Sequence, residues 1–282
     1  AHGKTTTSAM IAFCLDRLGL DPAFLIGGEV PQLGGNARAG EGWLIVEGDE
    51  SDRSVAALRP EIAVLLNVDL DHHTTFGSRA EVEALFEEWL AHVPQVVRAE
   101  SLAPVGLPLA VPGEHNRRNA AAALAALELA GVEGAEKVIG EFTGVGRRLQ
   151  PHADGVLDSY AHHPVEIAAD IAAVRDGGRV LALFQPHLYS RTRRLAHEFA
   201  VALATADAVC VTEIYPARED PVPGVSGKLI VEELAQVRPG MRVGWAPSLE
   251  DAARMVRGWA RPGDTILTLG ASDVDRVLDL LA

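Results

Sequence analysis

The sequence predicts an α/β protein of mostly parallel sheets, arranged in two domains. Three observations carry that prediction. Short apolar runs alternate with helix-like stretches along all 282 residues, the pattern of parallel strands joined by helical crossovers. The runs at 43–47 (WLIVE), 62–67 (IAVLLN) and 180–184 (VLALF) are short and mainly apolar, as is typical of strands covered on both faces. The chain also opens on Ala-His-Gly-Lys-Thr-Thr-Thr and passes straight into helix. Gly3-Lys4-Thr5 therefore reads as the back half of a phosphate-binding loop, in which backbone N–H groups at a helix N-terminus face phosphate.

The elements follow in order. Residues 4–18 read as a helix, stopped by Gly19 and Pro22. Strands follow at 43–47 and 62–67. Ser78 with Glu81 forms a capping box, and Val82, Leu85, Phe86, Trp89 and Leu90 then line one helical face. Residues 94–112 carry four prolines and read as irregular. Residues 116–130 are an alanine-rich helix closed by Gly131. A boundary falls at Arg148, giving domains 1–148 and 149–282. Beyond it, strands are expected at 156–160, 180–184, 208–214, 242–246 and 264–269. Pro164 begins a helix, where its missing N–H costs nothing. Further helices occupy 193–205, 228–237 and 249–259. This half reads as a small doubly wound domain.

Composition removes several classes of function. A hydrophobic fraction of 48% with 23% charged residues is that of a globular domain. The net charge of −14 argues against a nucleic-acid surface, which needs clustered Lys and Arg. Cys14 and Cys210 sit inside apolar runs and read as core thiols of a cytoplasmic protein. No run of about 18 apolar residues predicts a membrane span.

The chemistry gathers at strand ends. Lys4 reaches the outer phosphates of a nucleotide, the Thr5 hydroxyl ligates Mg²⁺, and Gly3 and Thr6 complete the loop. A full loop has an earlier Gly and a strand leading into it, so the chain reads as a fragment or as one that begins at an unusual place. Glu47-Gly48-Asp49-Glu50-Ser51-Asp52 and Asn67-Val68-Asp69-Leu70-Asp71-His72-His73 each follow a buried strand, where ligands bind in parallel α/β sheets. Thr5, Glu47 and His72 offer hard donors suited to Mg²⁺ on ATP phosphates. Residues 113–119 open a helix. Asn116 suits an N-cap, and Asn116 with Asn119 equally suits a purine edge. In the second half, residues 158–164 and 185–193 put His162, His163, His187, Arg191 and Arg193 after two further strands. The arginines suit carboxylate or phosphate. A zinc reading of the histidine pair lacks Cys or H-x-x-x-H support.

HGKTTT, EGDESD, the DHH turn, GEHNxxN, GxGRR, DSYAHHPVE and FQPHLYSRT occur here in the order found in the Mur ligases, and the chain resembles that family over nearly its whole length. The resemblance implies two of the family's three domains: a central P-loop ATPase domain with a mostly parallel sheet, and a C-terminal Rossmann-like doubly wound domain. The N-terminal domain that grips the UDP group is unmatched. It implies an ATP- and Mg²⁺-dependent amide ligase of cytoplasmic peptidoglycan precursor synthesis. The lactyl carboxylate of UDP-N-acetylmuramate forms an acyl phosphate, from which the amine of L-alanine displaces phosphate to give an amide. By the same resemblance, Lys4 holds the β- and γ-phosphates, and Thr5 and Glu47 bind one Mg²⁺. Glu47 with His72 serves a second ion, Asn116 and Asn119 touch adenine, and Arg147 and Arg148 face phosphate. His162, His187 and Arg191 reach the muramyl carboxylate or the incoming alanine, the two domains closing to assemble the site. Departures from the family pattern fall at Ala1, Ser159, Val165, Leu188 and Ser272, and a further strand pair is expected between 94 and 115. Related readings are a Mur-type ligase with another acceptor, such as the murein tripeptide ligase, and a nucleotide-binding fragment.

Overall fold

Gly3, at φ +85°, turns the chain into helix α1 (Lys4–Arg17). In the computed structural model, which describes residues 2–70, 75–175 and 178–281, that helix is the centre of the first of two units, residues 1–146 and 147–282. Met10, Phe13, Cys14 and Leu15 are buried. Gly19, at φ +74°, ends the helix as Gly does after a last turn.

Around α1 the unit builds two separate sheets. β1 (Ala23–Val30), β2 (Gly35–Arg38) and β3 (Leu44–Val46) form one in the order β2-β1-β3, with β1 antiparallel to β2 and parallel to β3. β4 (Ile62–Leu65) and β5 (Gln95–Arg98) form the other, a parallel pair. Phe24, Ile26 and Ile45 join α1 in the main core, where the Phe13 and Phe142 rings stand 5.5 Å apart. Helix α2 (Arg79–Leu90) begins at Ser78, whose side chain accepts from Glu81 N. Glu81 does not complete the box on Ser78. Its carboxylate accepts from Gly77 N and pairs with Arg53. Val82 and Phe86 of α2 pack on Val55 and Phe76 in a small core of their own. Helix α3 (Glu114–Leu129) and the short α4 (Ala135–Val138) close the unit.

The second unit is one sheet. β6 (Gln150–Ala153), β7 (Val156–Ser159), β8 (Val180–Phe184), β9 (Ala208–Thr212), β10 (Arg242–Ala246) and β11 (Thr265–Leu269) lie in the order β10-β9-β8-β11-β7-β6. All pairs are parallel except β6 with β7. The helices are α5 (Pro164–Val174), α6 (Tyr189–Leu203), α7 (Lys228–Val237), α8 (Leu249–Trp259) and α9 (Leu278–Leu281). β8 and β9 are buried at every residue, which explains their unbroken apolar sequences. One core holds Ile167, Phe184, Phe199 and Leu234, and a second holds Leu181, Leu183, Cys210 and Val256. Each such side chain contributes about 2 kcal/mol when removed from water.

The α/β class and the parallel strands of the second half are as expected. The first half holds more than its sequence announces. β1 and β2 were not anticipated, and β5 lies in the proline-rich stretch read as irregular. Between 94 and 115 the described residues contain that single strand, where a pair was expected. Helix α6 begins at Tyr189, four residues before position 193. No helix among the described residues is long and apolar enough to cross a membrane.

Candidate functional site

The phosphate-loop residues converge on the acidic loop after β3. Lys4 Nζ pairs with the Glu50 carboxylate and lies 3.4 Å from Asp49 Oδ1. Glu50 is only 3% exposed. Burial would lower the Lys4 ammonium, but the charges of Glu50, Asp49 and Glu47 outweigh it and hold the group above its ordinary value. Lys4 is therefore fully cationic at neutral pH. Glu50 belongs to the acidic run but was not singled out as a partner, because sequence order does not say which of four carboxylates turns inward.

Thr5 and Glu47 meet directly: Thr5 Oγ1 donates to Glu47 Oε1 at 2.9 Å. Octahedral Mg²⁺ with ligands at about 2.1 Å puts adjacent oxygens about 3 Å apart, so this hydroxyl and carboxylate already stand at the right separation to share an ion. Gly27 N donates to Glu47 Oε2 at 2.6 Å and fixes the carboxylate from behind. His72, the third expected ligand, lies outside the described residues.

The loop is anchored on its other side by β4. His2 N donates to Asn67 Oδ1 and Asn67 Nδ2 donates to His2 O, both at 2.8 Å. His2 Nε2 lies 3.4 Å from Asp69 Oδ2. Thr6 is buried in the first turn of α1.

Asn116 and Asn119 also come to the loop. Helix α3 is capped by Gly113, at φ +96°, so Asn116 sits inside the first turn and is not the N-cap. Its Nδ2 donates to Pro112 O at 2.6 Å, and its Oδ1 accepts from Asn119 Nδ2 at 3.3 Å. A Cβ placed on Gly3 would lie 2.4 Å from Asn119 Oδ1. Asn119 thus backs the glycine turn, and only a residue without a side chain fits there.

In the second unit His162, His187 and Arg191 form one cluster beyond the C-terminal ends of β7 and β8. The His162 and His187 rings are 6.2 Å apart, and His187 stacks on Tyr215 at 6.0 Å. Arg191 is 6% exposed, with Nη1 3.4 Å from His187 Nδ1. Glu166 accepts from His162 N at 3.1 Å and lies 3.7 Å from Arg148 Nη1. Leu188, between His187 and helix α6, is held at φ +71°, a backbone state a branched side chain rarely adopts.

Arg147 is occupied within its own unit. Nε donates to Asp158 Oδ2, Nη1 to Ser272 O and Nη2 to Gly270 O, at 2.7 to 2.9 Å. Arg147 and Arg148 both lie over the Tyr160 ring, at 5.4 and 5.3 Å from its centroid. With every guanidinium nitrogen engaged, Arg147 is built as a clamp joining β7 to the loop after β11.

The model of the Mur ligase, glutamate ligase domain matches residues 147–272. The UDP-N-acetylmuramate–L-alanine ligase of Streptomyces coelicolor is 40% identical to this chain over 345 aligned positions, covering all of the chain and 74% of that protein. The ligase of the same name from Renibacterium salmoninarum is also 40% identical, covering all of the chain and 73% of that protein. Among solved structures, the UDP-N-acetylmuramate–alanine ligase of Thermotoga maritima superposes with a TM-score of 0.82 at 26% identity, covering all of the chain and 73% of its own. The Thermotoga maritima MurF ligase, solved with ADP, has a TM-score of 0.76 at 18% identity, covering all of the chain and 77% of its own. The latter likeness is one of fold.

Proposed function

The chain belongs to the Mur ligase family, and from that premise we propose that it is an ATP-dependent ligase joining L-alanine to the lactyl carboxylate of UDP-N-acetylmuramate. One observation carries the reading: every residue of the chain aligns, at 40% identity, with a ligase named for those two substrates. UDP-N-acetylmuramate is a water-soluble anion and L-alanine a water-soluble zwitterion, which supports a cytoplasmic reaction.

A carboxylate is a poor electrophile, so the reaction proceeds in two steps. A lactyl carboxylate oxygen attacks the γ-phosphorus of ATP. The bond from that phosphorus to its bridging oxygen breaks and ADP leaves. The amine of L-alanine then attacks the acyl carbon of the mixed anhydride, inorganic phosphate leaves with the bonding pair, and the amine proton passes to solvent. The protein's part in the first step is positioning and charge. Lys4 exchanges its Glu50 partner for the β- and γ-phosphate oxygens. The backbone N–H groups of Gly3 to Thr6 face the same phosphates at the positive end of α1. Thr5 and Glu47 would hold a Mg²⁺ ion, whose charge would offset that of the triphosphate. Asn116, fixed by Pro112 and Asn119, borders the adenine. Arg191, with His187 and His162 beside it, provides a cationic, donor-rich surface for a substrate carboxylate.

The test is an assay of the chain with ATP, Mg²⁺, UDP-N-acetylmuramate and L-alanine, following phosphate release and the amide product by mass. Phosphate and amide should rise together and require all four components. Ligation of a murein tripeptide in place of L-alanine, or no heat of ATP binding in calorimetry, overturns the reading.

A further inference from the structure

The end of β7 is gripped from both of its faces. Successive strand residues point opposite ways, and Asp158 and Ser159, the last two of β7, are both buried. On one face the Asp158 carboxylate accepts from Arg147 Nε at 2.9 Å and from Thr268 Oγ1 at 2.6 Å. On the other stands Ser159, one of the positions at which the chain departs from the family pattern. Its Oγ donates to the Asp170 carboxylate of α5 and accepts from Ala161 N at 3.1 Å. The strand thus carries its own acid on one face, while on the other a helix supplies an acid through a hydroxyl.

That second link leads to the histidine cluster. Residues 160–163 join β7 to α5. Ala161 N is tied to Asp170 through Ser159, and the next N–H, that of His162, donates to Glu166 at 3.1 Å. Glu166 and Asp170 are one helical turn apart and so share a face of α5. Glu166 Oε2 also lies 3.5 Å from His162 Nδ1, which is 3.0 Å from Tyr160 O. Arg148 serves both acids: its Nη1 is 3.7 Å from Glu166, and its charge favours the ionised form of Asp170. Two successive main-chain N–H groups and one ring nitrogen are therefore held, and the His162 ring is left T-shaped against His187.

An amide or a hydroxyl on α5 could also accept from Ser159. Asp170 is only 8% exposed, and burial pushes its carboxyl up to about 6, so an acid here lowers stability at neutral pH. Groups shifted in this way gather at functional sites. We propose that Asp170 is a positioning residue: acting through Ser159, it holds the turn at 159–162 so that His162 stands beside His187 and Arg191 to meet a substrate carboxylate. The substrate half of this statement rests on the ligase reading, and the hold on the turn does not.

The experiment compares Asp170→Ala, Asp170→Asn and the parent by amide exchange at Ala161 and by steady-state kinetics. In Asp170→Ala, exchange at Ala161 should quicken about tenfold or more, because Ser159 Oγ is no longer fixed. KM for UDP-N-acetylmuramate or for L-alanine should rise about tenfold, and KM for ATP should stay within about twofold. A merely structural loss would lower kcat through the folded fraction and leave every KM in place. Asp170→Asn keeps an acceptor toward Ser159 without the added strength of the charge, so both readouts should fall between parent and Asp170→Ala. Should Asp170→Ala fail to fold, Ser159→Ala breaks the same link from the strand side and should give the same changes. Parental exchange at Ala161 in Asp170→Ala, a fall in kcat with every KM unchanged, or no recovery in Asp170→Asn overturns the proposal. A parent that does not ligate defeats the ligase reading alone, because the exchange at Ala161 decides the hold on the turn without substrate.

Discussion

The two units hold their functional groups in place by different means. In the second, an unbroken sheet sets the positions: His162, His187 and Arg191 hang from loops and a helix start just beyond β7 and β8, strands locked by parallel pairing to β11 between them. In the first, the sheet is in two pieces, and side-chain pairs bridge what the main chain does not. Lys4 with Glu50, Thr5 with Glu47 and His2 with Asn67 join residues more than forty positions apart. The contrast means that in the first unit the functional groups are also structural ties, whereas in the second the scaffold stands without them.

Lys4→Ala gives the largest expected effect. Removing the phosphate-binding ammonium should cut ATP turnover by about 10³-fold. It should also lower unfolding free energy by about 3 kcal/mol, because it removes the cation facing the buried Glu50 carboxylate. Adding Glu50→Gln should restore the urea midpoint but not the phosphate release. Recovery of neither would show that Lys4 and Glu50 are not coupled.

Arg191→Ala probes the opposite side of the contrast. Ligation should fall by roughly 10²-fold, with ATP affinity by calorimetry unchanged and a smaller shift in the unfolding midpoint than for Lys4→Ala. A parallel loss of nucleotide affinity would contradict its assignment to the carboxylate.

A smaller effect is expected at Asp170, which accepts from Ser159 Oγ in the core of the second unit. Burial pushes its carboxyl up from 3.8 to about 6. A carboxyl whose folded value is raised adds stability below its unfolded value, and that contribution is lost as pH rises through the folded one. Thermal stability should therefore decline between pH 4 and pH 6 by an amount on the order of 2 kcal/mol. Asp170→Asn should flatten that slope and melt higher than the parent at pH 7.5. A parent-like slope in the variant would assign the pH dependence elsewhere.

The smallest change is at Leu188. Leu188→Gly should relieve the positive φ and raise unfolding free energy by about 1 kcal/mol, read by urea titration. A loss of stability would mean the Leu188 side chain contributes more by packing than its backbone state costs.

The same contrast governs what could be read in advance. In the second unit, β8 and β10 and helices α7 and α8 begin and end where the sequence places them: full burial imposes a continuous apolar run on β8, and each helix shows one apolar face. In the first, β1 was hidden by Gly27 and Gly28, which look like a break. The structure gives them another purpose. A Cβ on Gly27 would lie 2.7 Å from Glu47 Oε2, and one on Gly28 2.9 Å from Val145 Cγ1. The residues that disguise the strand are those that make room for its neighbours, Gly27 for the Glu47 carboxylate and Gly28 for Val145. β5 was hidden likewise by neighbouring prolines. Thr5 and Glu47 were legible as partners because each follows a recognisable element, a helix start and a buried strand. Glu50 as the partner of Lys4 was not, nor Arg147 as a clamp, since the direction of a side chain in an irregular loop depends on its neighbours in space.

Local chemistry was enough to specify the α/β class, the five parallel strands of the second unit with the helices between them, and a helix that starts directly after Gly3. All of these follow from burial periodicity, helix capping and the steric freedom of glycine, which act over a few residues. Tertiary packing alone decided that the first unit's strands divide into two sheets, that Lys4 rests on Glu50, and that Arg147 is held by Asp158 and two carbonyls. Those outcomes rest on contacts between residues tens of positions apart, whose energies depend on distance and burial that no stretch of sequence contains.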